Sequence, residues 1–130
     1  MTLPPKPELN EQGLPVGQTL NEDWEITPRE TRDLLKASSE GFLLLDCRRD
    51  EEIATCRIEG SVHVPMDEIP TRMDELEDHI DSKIVVYCHT GRRSLRVASL
   101  LRSQGFKDVR SMAGGIELWT LDIDPSVPRY

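Results

Sequence analysis

Two short stretches of the 130-residue chain are apolar almost without interruption: FLLLDC, Phe42 to Cys47, and KIVVYC, Lys83 to Cys88. Their length and branched, bulky composition predict strands buried on both faces. SVHVP, Ser61 to Pro65, alternates and predicts a short strand, as does Val109 to Ala113. Between these runs the apolar positions recur at helical spacing. Thr27-Pro28-Arg29-Glu30 reads as a helix start, with Thr27 as cap, Pro28 at the first helical position and Glu30 completing a capping box. That helix is expected to reach about Ser38 and to stop before Gly41. Asp50 to Thr55 predicts a short helix. Pro70 to Ile80 predicts an acidic amphipathic helix with Met73, Leu76 and Ile80 inward. Ser94 to Gln104 predicts a helix that ends at Gly105, and Gly114 to Trp119 turns into a last short one.

Buried strands alternating with helices predict an α/β fold with a mostly parallel central sheet covered by helices on both faces. Residues 1–23 stand apart. They carry Pro4, Pro5, Pro7, Pro15 and two glycines and follow neither period, so an irregular arm is expected, either flexible or laid over the domain. The segment from Trp24 onward is one domain's worth of chain.

Composition narrows the function classes. Apolar residues make up 37% and charged residues 31%, and no apolar run approaches the ~20 residues of a membrane span. The start, MTLPPKPELN, has no apolar core of a secretory signal. Three irregularly spaced cysteines, with no CxxC, form neither a disulfide framework nor a metal site. A reducing cytoplasm is the expected setting, with no membrane partner and a monomer by default. The net charge of −8 argues against nucleic acid as partner. The charge is uneven, however: from Cys88 to Arg110 stand Arg92, Arg93, Arg96, Arg102, Lys107 and Arg110 against Asp108 alone. A basic island points to a small anion or an acidic patch on a partner, although Arg96, Arg102 and Lys107 read better as solvated helix faces.

Chemistry concentrates where the second buried strand ends, in CHTGRRS, Cys88 to Ser94. In parallel sheets ligands bind beyond the carboxyl ends of the strands, where Cys88 sits. The following helix aims unpaired N–H groups at the loop, Gly91 lets consecutive N–H groups turn inward, and Arg92 and Arg93 add positive charge. All three influences favour a thiolate, so the loop is expected both to bind an anion and to activate sulfur. Ser94 is placed to cap the helix or to hydrogen-bond the sulfur. His89 has no evident partner and reads as part of the pocket rim with Thr90. His63 and His79 read as structural or exposed.

CHTGRRS resembles the active-site loop CxxGxRS of the rhodanese (thiosulfate sulfurtransferase) family, with Cys88, Gly91, Arg93 and Ser94 matching. The resemblance runs from about Trp24 to Trp119. FLLLDCRRDEEI is similar to the family's strand ending in D-x-R, with Asp46 and Arg48 in place. RIEGSVHVP is similar to HIxGAxxIP at Ile58, Gly60 and Pro65, and GGIELW to GGxxxW at Gly114, Gly115 and Trp119. The stretch after Trp119 is similar to rhodanese domains that follow a ubiquitin-activating-type module, which this sequence does not contain. Arg57, Cys56, Arg49 and Cys47 stand where the family often has histidine, glycine, glutamate and valine; Cys47 and Cys56 read as packing residues.

The resemblance implies a rhodanese-like three-layer sandwich over residues 24–130. It implies that Cys88 takes sulfur from a small anionic donor such as thiosulfate, becomes a persulfide, and passes the sulfur to a thiol or cyanide-type acceptor or a carrier protein. His89, Thr90, Gly91, Arg92, Arg93 and Ser94 would form the substrate loop, with Arg92 or Arg93 holding the donor. Asp46 and Arg48 would lie behind it, Arg48 either pairing with an acid or meeting substrate. No cofactor and no metal are implied. Protein phosphatases use a similar loop with five residues between cysteine and arginine; here four, His89 to Arg92, separate Cys88 from Arg93. The smaller cradle suits a cysteine bearing one extra sulfur better than a phosphate. The alternatives are a regulatory binding module and, less favoured, a phosphatase or arsenate reductase.

Overall fold

The computed structural model describes residues 2–37 and 40–130. Five strands form one sheet: β1 (Glu25–Ile26), β2 (Phe42–Asp46), β3 (Val62–His63), β4 (Lys83–Tyr87) and β5 (Asp108–Met112). Their order is β1-β5-β4-β2-β3, and every pairing is parallel. The helices are α1 (Pro28–Ala37), α2 (Asp50–Thr55), α3 (Arg92–Ser103) and α4 (Gly115–Asp122).

The two uninterrupted apolar runs are the two central strands, and alternate residues serve opposite faces. Leu43, Leu45, Ile84 and Val86 pack with Val97, Ala98 and Leu101 of α3 and with Leu76. Leu44, Val85 and Tyr87 pack on the other side with Met112, and with Ile116 and Trp119 of α4 and Leu34 and Leu35 of α1. A strand with both faces covered shows no polar alternation, which is why these runs read as continuous. The result is the expected three-layer α/β sandwich.

The chain turns from β2 toward β3 and from β4 toward β5, in opposite directions. The crevice between the carboxyl ends of β2 and β4 is therefore the switch point where open α/β sheets bind ligands. Asp46 and Cys47 mark one side of it and Tyr87 and Cys88 the other.

Several elements differ from expectation. The acidic segment forms no α-helix over Pro70 to Ile80. It forms two 3₁₀ helices, Met66–Glu68 and Met73–His79. Leu76 is buried, and Met73 and Ile80 pack against the α3-side core, so the inward residues are the expected ones. On the polar side Arg72 clamps Glu68 at 3.1 Å and Glu75 at 2.8 Å, and four further carboxylates crowd Asp74 to Asp81. Thr27 caps α1 as expected, its Oγ1 accepting from the Glu30 N–H at 3.1 Å. The expected end of that helix near Ser38 lies outside the described residues. α3 begins at Arg92, two residues before Ser94, which brings both loop arginines into its first turn.

The arm lies over the domain. Leu14 is fully buried against Ala113 and Leu118, with Leu9 and Leu20 beside them. Arg29 binds Asp122 at 2.8 Å and the Glu11 carbonyl at 2.7 Å, tying arm, α1 and α4 together. Arg102 is not part of a solvated face. Its guanidinium stacks on Trp24 at 3.8 Å and donates to the carbonyls of Val109 and Asp23. An arginine's flat cation suits this sandwiching between an aromatic ring and carbonyls.

Candidate active site

Cys88 follows directly on β4, buried, with its sulfur enclosed by the loop. The Gly91 N–H donates to Cys88 Sγ at 3.1 Å and the Ser94 N–H at 3.4 Å. Ser94 Oγ lies 3.4 Å from the same sulfur. The loop curls so tightly because Gly91 takes φ 104° immediately before α3, a conformation other residues rarely adopt. The first-turn N–H groups of α3 have no partners within the helix and supply the positive end of its dipole at the sulfur.

A second helix end closes the loop from the other side. The Ile116 N–H donates to the Cys88 carbonyl at 2.9 Å and the Glu117 N–H to the His89 carbonyl at 3.1 Å. The first turn of α4 thus finds its acceptors in the active-site loop. A Cβ on Gly115 would overlap both the Cys88 and His89 carbonyls, and one on Gly114 would overlap the Leu118 side chain, so neither position of the glycine pair has room for a side chain.

Behind the sulfur lies a buried hydroxyl pair. Ser94 Oγ is 2.6 Å from Ser111 Oγ, and both residues are fully buried. Ser111 lies on β5 beside Val86 of β4 and also reaches the Gly91 carbonyl at 3.4 Å. With the Ser111 proton turned to Ser94, the Ser94 proton is free to point at Cys88 Sγ.

The two loop arginines part company. Arg92 is exposed. Arg93 is half-buried and held by Glu52 through two hydrogen bonds, at 2.5 and 2.9 Å. Glu52 also accepts from the Arg49 N–H at 3.1 Å and the Tyr130 hydroxyl at 2.6 Å. Burial alone would raise the Glu52 carboxyl, but the hydrogen bonds from Arg93 and Tyr130 prevail and hold it at about 2. The basic island is therefore partly neutralised where it meets the site. Arg93, Cys47, Arg49, Met66 and Asp67 line an open cleft of about 240 Å³ beside the loop.

Arg48 is wholly buried and belongs to a separate layer. Its guanidinium meets Asp46, also buried, at 2.7 Å, donates to the Cys56 carbonyl at 2.7 Å and to the Tyr130 hydroxyl at 3.1 Å. Of its two expected roles, the structure shows the acid pairing. Tyr130 joins this layer to the loop: its ring stacks on His89 with centroids 4.0 Å apart and planes 12° apart. His89 thus has an aromatic partner that its local sequence does not reveal. His63 Nε2 lies 2.6 Å from the Arg48 carbonyl, a structural placement. Thr90 is exposed on the loop.

Nothing in the sequence points to Glu52, Ser111 or Tyr130, and Cys47 reads there as a packing residue. Of these, Cys47 alone left a local signal. FLLLDC and KIVVYC both end in cysteine, and their first residues, Phe42 and Lys83, are register partners.

The fold, the loop and the paired glycines converge with the comparisons. A model of the rhodanese-like domain matches residues 27–122. The chain belongs to the rhodanese-like domain family. A sulfurtransferase of Allochromatium vinosum is 39% identical over 83 residues, covering 64% of this chain and 76% of that protein. An adenylyltransferase and sulfurtransferase of Zea mays, MOCS3-1, is 31% identical over 127 residues, covering 94% of this chain. This chain spans only 27% of that maize protein's length. Among solved structures, the human single-domain sulfurtransferase TSTD1 superimposes with a TM-score of 0.65 at 25% identity, covering 75% of this chain and 95% of that one. All three of these proteins bear the sulfurtransferase name. Among the described residues, no helix is long and apolar enough to cross a membrane.

Proposed function

We propose that this chain is a sulfurtransferase that carries sulfane sulfur on Cys88 as a persulfide. The observation that supports it most is the cradle at Cys88 Sγ: two backbone N–H groups at 3.1 and 3.4 Å and the Ser94 hydroxyl at 3.4 Å converge on the sulfur itself. Donors that already reach the sulfur form a tight seat. Such a seat accommodates one more sulfur atom more readily than the spread oxygens of a phosphate.

In this reading the Cys88 thiolate attacks the outer sulfur of a donor such as thiosulfate and expels sulfite. The new persulfide anion is stabilised by the loop N–H groups and the α3 dipole. A thiophilic acceptor, a small thiol, cyanide or a carrier protein, then attacks the outer sulfur. Cys88 leaves as a thiolate back into the same donors. This is a two-step covalent scheme in which one set of donors serves both halves. Arg92, exposed and with no carboxylate partner among the described residues where Arg93 has Glu52, is the arginine available to meet an anionic donor. No cofactor enters the scheme.

The test is intact mass after brief incubation with thiosulfate, for wild type and Cys88→Ser, with and without reductant. A gain of one sulfur that reductant removes and the variant lacks is expected. Full sulfur transfer by the variant would refute the reading. Cys88-dependent phosphate release from an aryl phosphate would replace it with the phosphatase alternative.

A further inference from the structure

Cys47 and Cys88 end the two central strands side by side. The β2–β4 register runs Leu45 to Val86 and Asp46 to Tyr87, and the Cys47 N–H continues it by donating to the Tyr87 carbonyl at 3.1 Å. The next pair along is Cys47 and Cys88. Neighbouring strands stand about 4.8 Å apart, and a disulfide spans Cα positions roughly 4.4–6.8 Å apart. The side chains also share a face, since both cysteines join the same core cluster with Leu45 and Val86. The two thiols are therefore neighbours on one face of the sheet, with Cys47 Sγ now donating to the Tyr87 carbonyl at 3.5 Å. Cys47 moreover lines the open cleft beside the loop with Arg93. Both thiols are free.

We propose that Cys47 is a second reacting thiol of this site, closing on the Cys88 persulfide to form a Cys47–Cys88 disulfide and expelling the outer sulfur as hydrosulfide. The proposal rests on the reading of Cys88 as the sulfur carrier. The bond formed joins Cys47 Sγ to Cys88 Sγ, and the bond broken joins Cys88 Sγ to the outer sulfur. In this step the Cys47 sulfur is oxidised from −2 to −1, the outer sulfur is reduced from −1 to −2, Cys88 Sγ keeps its oxidation state, and the Cys47 proton leaves with the outer sulfur. The persulfide is the only oxidant required. An external dithiol reopens the disulfide and returns Cys88 for another cycle. When an acceptor is present it competes for the outer sulfur; when none is, the disulfide clears the site.

The surroundings assign the order of events. Burial pushes the Cys47 thiol up, with Cys88 and Asp46 adding to the effect and Arg93 opposing it. Cys47 stays a protonated bystander toward external donors, while Cys88 has the N–H groups and meets the donor first. Cys47 acts only once the electrophilic sulfur lies beside it, where proximity replaces intrinsic reactivity. Cys56 takes no part: its sulfur lies against the Arg48 guanidinium at 3.8 Å, in the layer behind the site.

The experiment uses the full chain carrying Cys56→Ala, which leaves these two thiols, under anaerobic conditions. A small aryl disulfide first loads Cys88 and releases one equivalent of aryl thiolate. Attack by Cys47 then releases a second equivalent and yields a peptide linked through Cys47 and Cys88 on non-reducing mass mapping. Cys47→Ser and Cys47→Ala are expected to stop at one equivalent and to keep the aryl group on Cys88; two replacements guard against a fault in folding of either. The same proteins loaded with a persulfide donor are expected to release about one equivalent of hydrosulfide only when Cys47 is present. One aryl equivalent from the protein with Cys47 intact would overturn the proposal. Two aryl equivalents, with no sulfur ever found on Cys88 in the Cys47 variants, would instead overturn the sulfur-carrier reading and the hydrosulfide step with it.

Discussion

Glu52 of α2 grips Arg93 of the active-site loop with both carboxylate oxygens, across 41 residues of sequence. The pair neutralises a charge that the loop would otherwise present to an anionic donor. Glu52→Gln keeps an acceptor for Tyr130 but frees the guanidinium. The expected result is a lower KM for thiosulfate, by a few-fold, since an unpaired charge near the surface interacts with an anion by about 1 kcal/mol or somewhat more. The gain is expected to shrink as salt is raised. Steady-state kinetics at two ionic strengths checks both; an unchanged KM would show that Arg93 does not meet the donor's field.

The same carboxylate sets an acid limit. A carboxyl held at about 2 in the folded chain, against roughly 4.3 when unfolded, contributes stability above the unfolded value. That contribution is lost as pH falls from the unfolded value through about 2. Denaturant midpoints between pH 5 and pH 2 are therefore expected to fall less steeply for Glu52→Gln than for wild type. Equal slopes would count against the pair as a source of acid sensitivity.

Gly115 carries a prediction about backbone rather than charge. Its φ is 60°, and an added methyl would meet the carbonyls of Cys88 and His89, which cannot swing aside without opening the loop. Gly115→Ala is expected to cost about 2–3 kcal/mol and to abolish persulfide formation. Urea unfolding gives the first quantity and intact mass the second. A stable, fully active variant would mean that the α4 hydrogen bonds do not position the loop.

Much of this architecture is legible along the chain. The continuous apolar runs mark β2 and β4 because helices cover both of their faces, and the loop's Cys-Gly-Arg-Ser pattern marks the sulfur site because each residue acts within one turn of the next. The acidic stretch from Pro70 to Ile80 misleads because Met73, Leu76 and Ile80, spaced three then four, carry the α-helical period, yet the same three residues face the core from a 3₁₀ helix and the turn after it. The partners Glu52, Ser111 and Tyr130 are silent for a different reason. Each reaches the site across the fold, Tyr130 from 78 residues beyond Glu52, and nothing local distinguishes a serine on β5 from any other. The basic island shows the cost of that silence, since Arg93 counts as a free cation until Glu52 is placed beside it.

The buried pair of Asp46 and Arg48 behind the loop yields the last prediction. Both side chains are fully excluded from solvent and meet at 2.7 Å. Asp46 also accepts from the Arg48 N–H at 3.0 Å, which fixes the turn leading from β2 to α2 and so places Glu52. Burial opposes the charge on Arg48 and its bonds to Asp46 and Tyr130 offset that; a guanidinium is intrinsically so basic that it keeps its charge when its partner is changed. Asp46→Asn preserves shape and removes the negative charge, leaving that cation unpaired in the interior. Such a broken pair costs about 3–5 kcal/mol, more than Tyr130→Phe, which takes away an acceptor from Arg48 and a donor to Glu52, about 2–3 kcal/mol together, while leaving the stacked ring on His89. Urea titrations of the two variants side by side test the ranking. If Asp46→Asn were no more damaging than Tyr130→Phe, the Arg48 charge would have to be satisfied by the Cys56 carbonyl and Tyr130 alone. The buried pair would then be dispensable to the turn that carries Glu52 to the site.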